Sequence, residues 1–266
     1  MGTKLKLFDT LKYIEIETHS ACTRCCPWCL FGAYPNLRPS GIEYLDTIYI
    51  TNILYDLRRN NYSGAIGLYS INEPLMDERI ISGELIRLCK EILGQHVVVT
   101  ITTNGDLLTY KIANHLFAHG LDHMKISCYE KDRYKEMKRL FEKHFNISVT
   151  DQTRYWNGGF ESNRAGALRK SRLFIPNSCY YPFYRSAIGW DGEIRICYND
   201  FLNNIKIGNI KCYNFSDIMH TKENIEIRKN IRTNRHNFFP CCNCNINVPQ
   251  KKMDDFNNKI KTYIEV

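Results

Sequence analysis

The sequence predicts an α/β fold in which parallel strands alternate with helices over the first 150 residues or so, followed by a second part of different character. Three observations carry this reading. Short β-branched or alternating apolar runs recur between amphipathic helical stretches, the pattern of βαβ units closing into an open sheet or a barrel. The chain has 266 residues, 44% of them hydrophobic and 12% aromatic. That is enough for one large core with a small appendage, and it excludes a disordered chain. Cysteines and polar groups fall at or just past the strand ends, where parallel α/β folds place their sites.

The elements follow in order. Residues 12–19 (KYIEIETH) alternate apolar and polar as a strand does, and a cysteine-rich loop comes next. Residues 44–58 read as a helix and Ala65–Ser70 as a short apolar strand. Over 84–94, Leu85, Leu88, Cys89, Ile92 and Leu93 share one helical face. Val97–Thr102 is β-branched and reads as a buried strand, 109–118 as a helix and His123–Tyr129 as a strand. Residues 131–144 place Tyr134, Met137, Leu140 and Phe141 on one face of a helix, and Ile147–Val149 is a fifth strand. After about residue 175 the pattern changes: Arg185–Trp190 and Glu193–Cys197 flank Asp191-Gly192, a hairpin signal. Residues 216–231 read as a helix capped by Ser216, and 251–264 as a polar tail of helical type.

Lys and Arg total 36 against 28 Asp and Glu, a formal net charge of +8. No basic stripe is interleaved with aromatics, so nucleic acid is not an expected partner, and the excess reads as a solvated surface. No apolar run reaches the roughly 18–20 residues of a membrane span. The N-terminus lacks an apolar signal core, so the expected address is the cytoplasm.

The chain has twelve cysteines. In a reducing compartment such a set reads as metal binding before disulfides. Cys22, Cys25, Cys26 and Cys29 crowd together, as do Cys241, Cys242 and Cys244, while Cys179 and Cys197 flank the hairpin-like stretch. The first group admits two readings. Cys22/Cys25 and Cys26/Cys29 form two C-x2-C pairs suited to structural zinc. Cys22, Cys26 and Cys29 form C-x3-C-x2-C, a three-thiolate holder that leaves one iron of a 4Fe–4S cube without a protein ligand.

With Trp28 as the aromatic before the last cysteine, this loop after a first strand resembles the radical SAM superfamily. Other stretches agree with the resemblance. Asn72-Glu73-Pro74 resembles the end of that family's GGEP motif without its glycines, Thr103-Asn104 its TNG stretch, Ser127 its ribose-contacting serine, and Arg164 in Asn163-Arg164-Ala165-Gly166 its NRxG arginine. The resemblance implies that Cys22, Cys26 and Cys29 hold a cluster binding S-adenosylmethionine, with Trp28, Asn72, Glu73, Thr103, Asn104, Ser127 and Arg164 around that cofactor. It also implies cleavage to a 5′-deoxyadenosyl radical that takes hydrogen from a substrate C–H bond. The architecture implied is a partial (β/α) barrel of about five to six parallel strands over 10–170, with a small α+β auxiliary-cluster domain over 171–266.

In the second part, Cys179-x12-Gly192-x4-Cys197 and Cys241-x2-Cys244 resemble the SPASM and twitch domains of radical SAM enzymes. No cysteine follows Cys244, so four thiolates remain, enough for one fully ligated auxiliary 4Fe–4S cluster. Cys241 is preferred to Cys242 because C-x2-C lets both thiols converge in a turn; a four-thiolate zinc site is the alternative. The layout resembles twitch-type dehydrogenases of aminocyclitols, which points to two-electron oxidation of a sugar or cyclitol. Peptide crosslinking or epimerisation is a second possibility, disfavoured because the first strand begins too early for a leader-binding domain. A zinc-binding protein without catalysis is a third. The expected partners are a small-molecule or peptide substrate and a flavodoxin- or ferredoxin-type electron donor.

An epimerase needs a thiol that returns hydrogen, and Cys128, Cys212 and Cys242 are candidates, although each is more simply a core or spare thiol. Cys89 lies on an apolar helix face and Cys25 is a spare loop thiol. His115 and His119 share a helix face without a metal motif, and His19 reads as a structural hydrogen-bonder.

Overall fold

A computed structural model of the chain describes residues 7–141, 143, 146–159, 162–168 and 178–246, so the expected tail helix over 251–264 lies outside the described residues. Eight strands form one sheet. They are β1 (Tyr13–Ile16), β2 (Ala65–Gly67), β3 (Val98–Thr103), β4 (His123–Cys128), β5 (Ile147–Asp151), β6 (Arg185–Ile188), β7 (Glu193–Arg195) and β8 (Lys206–Asn209). Their order is β5-β4-β3-β2-β1-β6-β7-β8. The pairings from β5 to β6 are all parallel, and β6-β7-β8 are antiparallel.

The helices that return each strand are α1 (Thr47–Arg59), α2 (Glu84–Leu93), α3 (Tyr110–Ala118) and α4 (Lys131–Phe141). Each turns an apolar stripe to the sheet; in α2, Leu85, Ile86, Cys89, Ile92 and Leu93 are buried. Ile14, Ile16, Ile66, Val99, Ile101, Met124 and Ile126 supply the sheet's side of that core. Every strand and helix expected over the first 150 residues is present, with ends displaced by a few residues.

One expected element does more than its own pairing requires, and one expectation needs correction. The hairpin around Asp191-Gly192 forms, with Gly192 at φ +86. Its first arm, however, also pairs parallel with β1, Tyr13 opposite Arg185 and Ile16 opposite Ile188, so the second part of the chain continues the sheet of the first. The helix expected over 216–231 is two helices, α5 (Phe215–Met219) and α6 (Lys222–Asn234). Thr221 caps α6 by accepting from Asn224 N, while Ser216 caps nothing: its N–H and Oγ both donate to buried Asp56.

The strand interior is polar where β1 faces the barrel. Glu15 and Glu17 are buried; Glu15 pairs with Arg185, and Glu17 with Arg195 at 3.3 Å. Buried carboxylates are retained when paired and hydrogen-bonded. Among the described residues no helix is long and apolar enough to cross a membrane.

Candidate active site

The cysteine loop leaves the carboxyl end of β1. Cys29 N donates to Cys26 O at 2.9 Å, and a helical turn, Leu30–Ala33, starts immediately after Cys29. Gly32 lets that turn press against the loop, because a Cβ there would lie 2.0 Å from Cys26 O. Arg24 ties the loop to the neighbouring strand ends. Its Nε and Nη2 clasp both oxygens of Asp106 at 2.7 and 2.6 Å, and Nη1 reaches Glu130 at 2.7 Å. Thr23 Oγ1 donates to Asp106 at 3.0 Å and accepts from Asn104 Nδ2 at 2.8 Å.

Cys22, Cys26 and Cys29 line a cavity of about 390 Å3. Cys25 does not; it is exposed, and its sulfur accepts from Arg38 Nη1 at 3.4 Å. Three cysteines lining the cavity with the fourth exposed outside it match the spacing C-x3-C-x2-C and not two C-x2-C pairs. Burial pushes the Cys22 thiol up to about 11 and Cys26 to about 12, and it raises Cys29 as well. A metal centre bound there would have to drive protons off all three.

Trp28, Asn72, Glu73, Thr103, Asn104, Ser127 and Arg164 all line the same cavity. Glu73 is its structural hub: Oε1 accepts from Thr103 Oγ1 at 2.6 Å and Leu75 N at 3.1 Å, and Oε2 from Asn104 N at 2.8 Å. A carboxylate offers about four acceptor sites, so one remains for a ligand. Burial raises Glu73 to about 7 against the pull of those hydrogen bonds. Asn72 Oδ1 accepts from Ser70 N at 3.0 Å, while its Nδ2 is buried without a partner. An orphaned donor beside three cysteines and a carboxylate with one acceptor site open fits a bound polar group that brings its own acceptors. Trp28 packs edge-on against Tyr155 and Trp156, with centroids at 5.6 and 4.7 Å.

His19 is the structural hydrogen-bonder expected. Its Nδ1 accepts from Ala21 N at 3.0 Å, so Nε2 carries the proton and donates to Glu73 O at 3.0 Å. Burial lowers its pKa, which keeps it neutral. His115 and His119 stack with centroids at 4.1 Å and bind main-chain carbonyls.

Several lining residues escaped the sequence reading: Glu15, Tyr69, Lys125, Arg185 and Tyr198. The Arg185 guanidinium sits 4.5 Å from the ring centroids of both Tyr13 and Tyr198 while it pairs with Glu15. The signal was present in β1, where the polar members of the alternation face a barrel interior instead of solvent.

Cys179, Cys197, Cys241 and Cys244 line a second, smaller cavity, and Cys242 does not. Cys241–Asn243 form a single tight turn closed by Cys244 N donating to Cys241 O at 3.1 Å, which brings the outer two thiols together. Burial pushes Cys241 up to about 12 and raises Cys179, Cys197 and Cys244, with repulsion from neighbouring cysteines adding to it at Cys179, Cys197 and Cys241. Among the described residues no group of three Cys, His, Asp or Glu is arranged to hold a single metal ion. Tetrahedral zinc draws its sulfurs to roughly 4 Å of one another; a cube spreads them wider. The three thiols considered as hydrogen donors lie outside the main cavity: Cys128 is buried in the core, Cys212 is exposed beside Tyr213, and Cys242 sits outside both cavities.

Comparison with known proteins agrees with this geometry. Residues 179–256 match the SPASM family, an iron–sulfur cluster-binding domain. An S-adenosyl-L-methionine-dependent 2-deoxy-scyllo-inosamine dehydrogenase of Niallia circulans is 23% identical over 267 residues, covering 94% of this chain and 98% of that protein. The crystal structure of BtrN in complex with AdoMet and 2-DOIA superposes with a TM-score of 0.74 at 23% identity, over 89% of this chain and 93% of that one. Native anSMEcpe with bound AdoMet superposes with a TM-score of 0.57 at 13% identity, over 82% and 83% of the two chains. The chain thus shares the fold of these AdoMet-bound structures, a partial barrel of parallel strands, and its SPASM-matching segment joins that sheet at the first strand.

Proposed function

We propose that the chain is a radical SAM dehydrogenase with two 4Fe–4S clusters that oxidises a secondary alcohol of a cyclitol or sugar. One observation carries the reading. Three cysteines share a cavity with all seven expected cofactor residues, while four further cysteines line a separate cavity. The substrate of the Niallia circulans relative supports the choice of an aminocyclitol.

Bound in the main cavity, the cluster and S-adenosylmethionine would supply a 5′-deoxyadenosyl radical able to take hydrogen from an unactivated carbon. The chain's own residues do the rest. Cys22, Cys26 and Cys29 hold the cluster. Glu73 and Asn72 Nδ2 meet the methionyl amine and carboxylate, with Arg164 as the carboxylate's charge partner. Ser127 meets the ribose, and Trp28 walls the site with Tyr155 and Trp156. The Arg24 clasp holds the loop shut against water. Oxidising an alcohol removes a hydrogen atom from carbon, one further electron, and the hydroxyl proton. Glu15, which pairs with Arg185 and lines the cavity, is the carboxylate placed to take the proton. The four-thiol site would take the electron, and a flavodoxin- or ferredoxin-type protein would reduce the first cluster. The core over 10–170 supplies most of the cofactor wall, and the second part contributes Arg185 and Tyr198 to the substrate side.

The test is anaerobic reconstitution followed by reduction with S-adenosylmethionine and 2-deoxy-scyllo-inosamine. The reading predicts 5′-deoxyadenosine and an equal amount of keto product. Deoxyadenosine without cyclitol oxidation redirects the search to peptide substrates. Zinc in place of iron, with no deoxyadenosine, overturns the reading.

A further inference from the structure

Arg235 follows helix α6 and is one of the largest fully buried side chains, 1% exposed. Its Nη1 donates to Ile246 O at 3.1 Å, and Nη2 to Cys244 O at 3.2 Å and Ile246 O at 3.1 Å. Its Nε is buried with no partner. Among the described residues no carboxylate forms an ion pair with it. A guanidinium is expensive to bury uncompensated, and such groups are ordinarily paired with an anion.

The side chain lines the same cavity as Cys179, Cys197, Cys241 and Cys244. It exerts a favourable charge interaction on the thiols of Cys179, Cys241 and Cys244. The other charged residue lining that cavity, Asp200, is occupied locally. It accepts from Asn204 N, Asn204 Nδ2 and Ile205 N, each at 2.9 Å. The missing anion therefore has one place to be. A cube held by four thiolates is net negative, and one electron makes it more so.

We propose that Arg235 is the buried counter-charge of the auxiliary cluster and sets its potential high enough to accept the substrate's electron. A fixed cation favours the more negative, reduced state, and the dry surroundings of Ile196, Ile231 and Pro240 leave that field unscreened. The orphaned Nε is a further buried donor on the same guanidinium, and a hydrogen bond from it to the cluster would act in the same direction. Arg235 is a positioning residue, since it works on the acceptor and touches neither the substrate nor the reacting carbon. The inference rests on the two-cluster reading above. Wild-type protein that loads four irons instead of eight defeats that reading and says nothing against the charge argument.

The experiment is an EPR-monitored redox titration of fully loaded wild-type, Arg235→Gln and Arg235→Lys protein, without substrate. Gln keeps donors for the Ile246 and Cys244 carbonyls but removes the charge; Lys keeps the charge but loses the fork. The auxiliary midpoint should move to more negative potential in Arg235→Gln and stay near wild type in Arg235→Lys, with the first cluster's midpoint unchanged in both. With substrate, Arg235→Gln should release deoxyadenosine while forming several-fold less keto product per deoxyadenosine. An unchanged auxiliary midpoint in Arg235→Gln overturns the proposal, as does an equal shift of both clusters. Should Arg235→Gln fail to retain its auxiliary irons, Arg235→Lys decides: a wild-type midpoint supports the proposal and a negative shift refutes it.

Discussion

Replacing Glu73 by Gln should make the folded chain more tolerant of high pH and at the same time weaken its hold on S-adenosylmethionine. The carboxyl is buried and titrates at about 7 in the folded chain against an ordinary 4.5. Because the folded value is raised, the native state prefers the protonated acid. Its stability is undiminished below pH 4.5 and falls as pH rises from there to about 7. That gap corresponds to about 3 kcal/mol of folding free energy lost by pH 8. Gln cannot ionise, so it escapes the loss, although its amide faces the Asn104 N–H and forfeits about 1–3 kcal/mol at every pH. The useful quantity is therefore the stability difference between variant and wild type measured by urea unfolding of the cluster-free chain at pH 5 and pH 8. It should swing in the variant's favour by about 2–3 kcal/mol over that interval. In loaded protein the lost charge-assisted contact, about 1.5–3 kcal/mol, should weaken S-adenosylmethionine binding by roughly ten- to a hundredfold. Wild-type affinity should decline below pH 7 as Glu73 takes up its proton, and the variant's should not follow. A stability difference that stays constant between pH 5 and pH 8 would refute the claim that this carboxylate is held ionised at a cost.

Three further outcomes are expected. Cys25→Ser should keep about eight irons and normal deoxyadenosine release, whereas Cys26→Ala should lose four irons and all release, because only Cys26 faces the cavity; iron analysis and chromatography check both. Arg24→Ala removes a half-exposed clasp, so urea unfolding should show a loss of only about 1 kcal/mol, shrinking in high salt, with faster bleaching of the first cluster in air. Gly166→Ala puts a Cβ 2.7 Å from Asn243 Cβ at a φ of +89, so it should destabilise by about 1–2 kcal/mol and lower auxiliary iron occupancy, measured by calorimetry and iron content.

The parallel core was legible because each of its strands and helices carries its own periodicity. Val98–Thr103 and Glu84–Leu93 could be read with no knowledge of their neighbours. The lining of the main cavity was legible for a different reason: chemistry-bearing residues stood just past strand ends, and sheet geometry gathers such positions on one edge. What the sequence hid was interior polarity. Glu15 looks like the solvent face of an amphipathic strand until Arg185, 170 residues away, joins β1 and neutralises it. Arg235 looks like the basic end of a surface helix until the Cys241–Cys244 turn folds over it. The split of the helix expected over 216–231 was likewise invisible, because Ser216 resembles a cap and its engagement with Asp56 is a tertiary contact. Long-range pairing decides these cases, and local pattern cannot reveal it.

The central claim is a cluster on Cys22, Cys26 and Cys29 with one iron free for a ligand. Mössbauer spectroscopy of iron-57-loaded, oxygen-free protein tests it directly. The account predicts two 4Fe–4S centres, with one iron of one centre altering its spectrum when S-adenosylmethionine is added and that response vanishing in Cys26→Ala. A spectrum in which every iron ignores S-adenosylmethionine would contradict it.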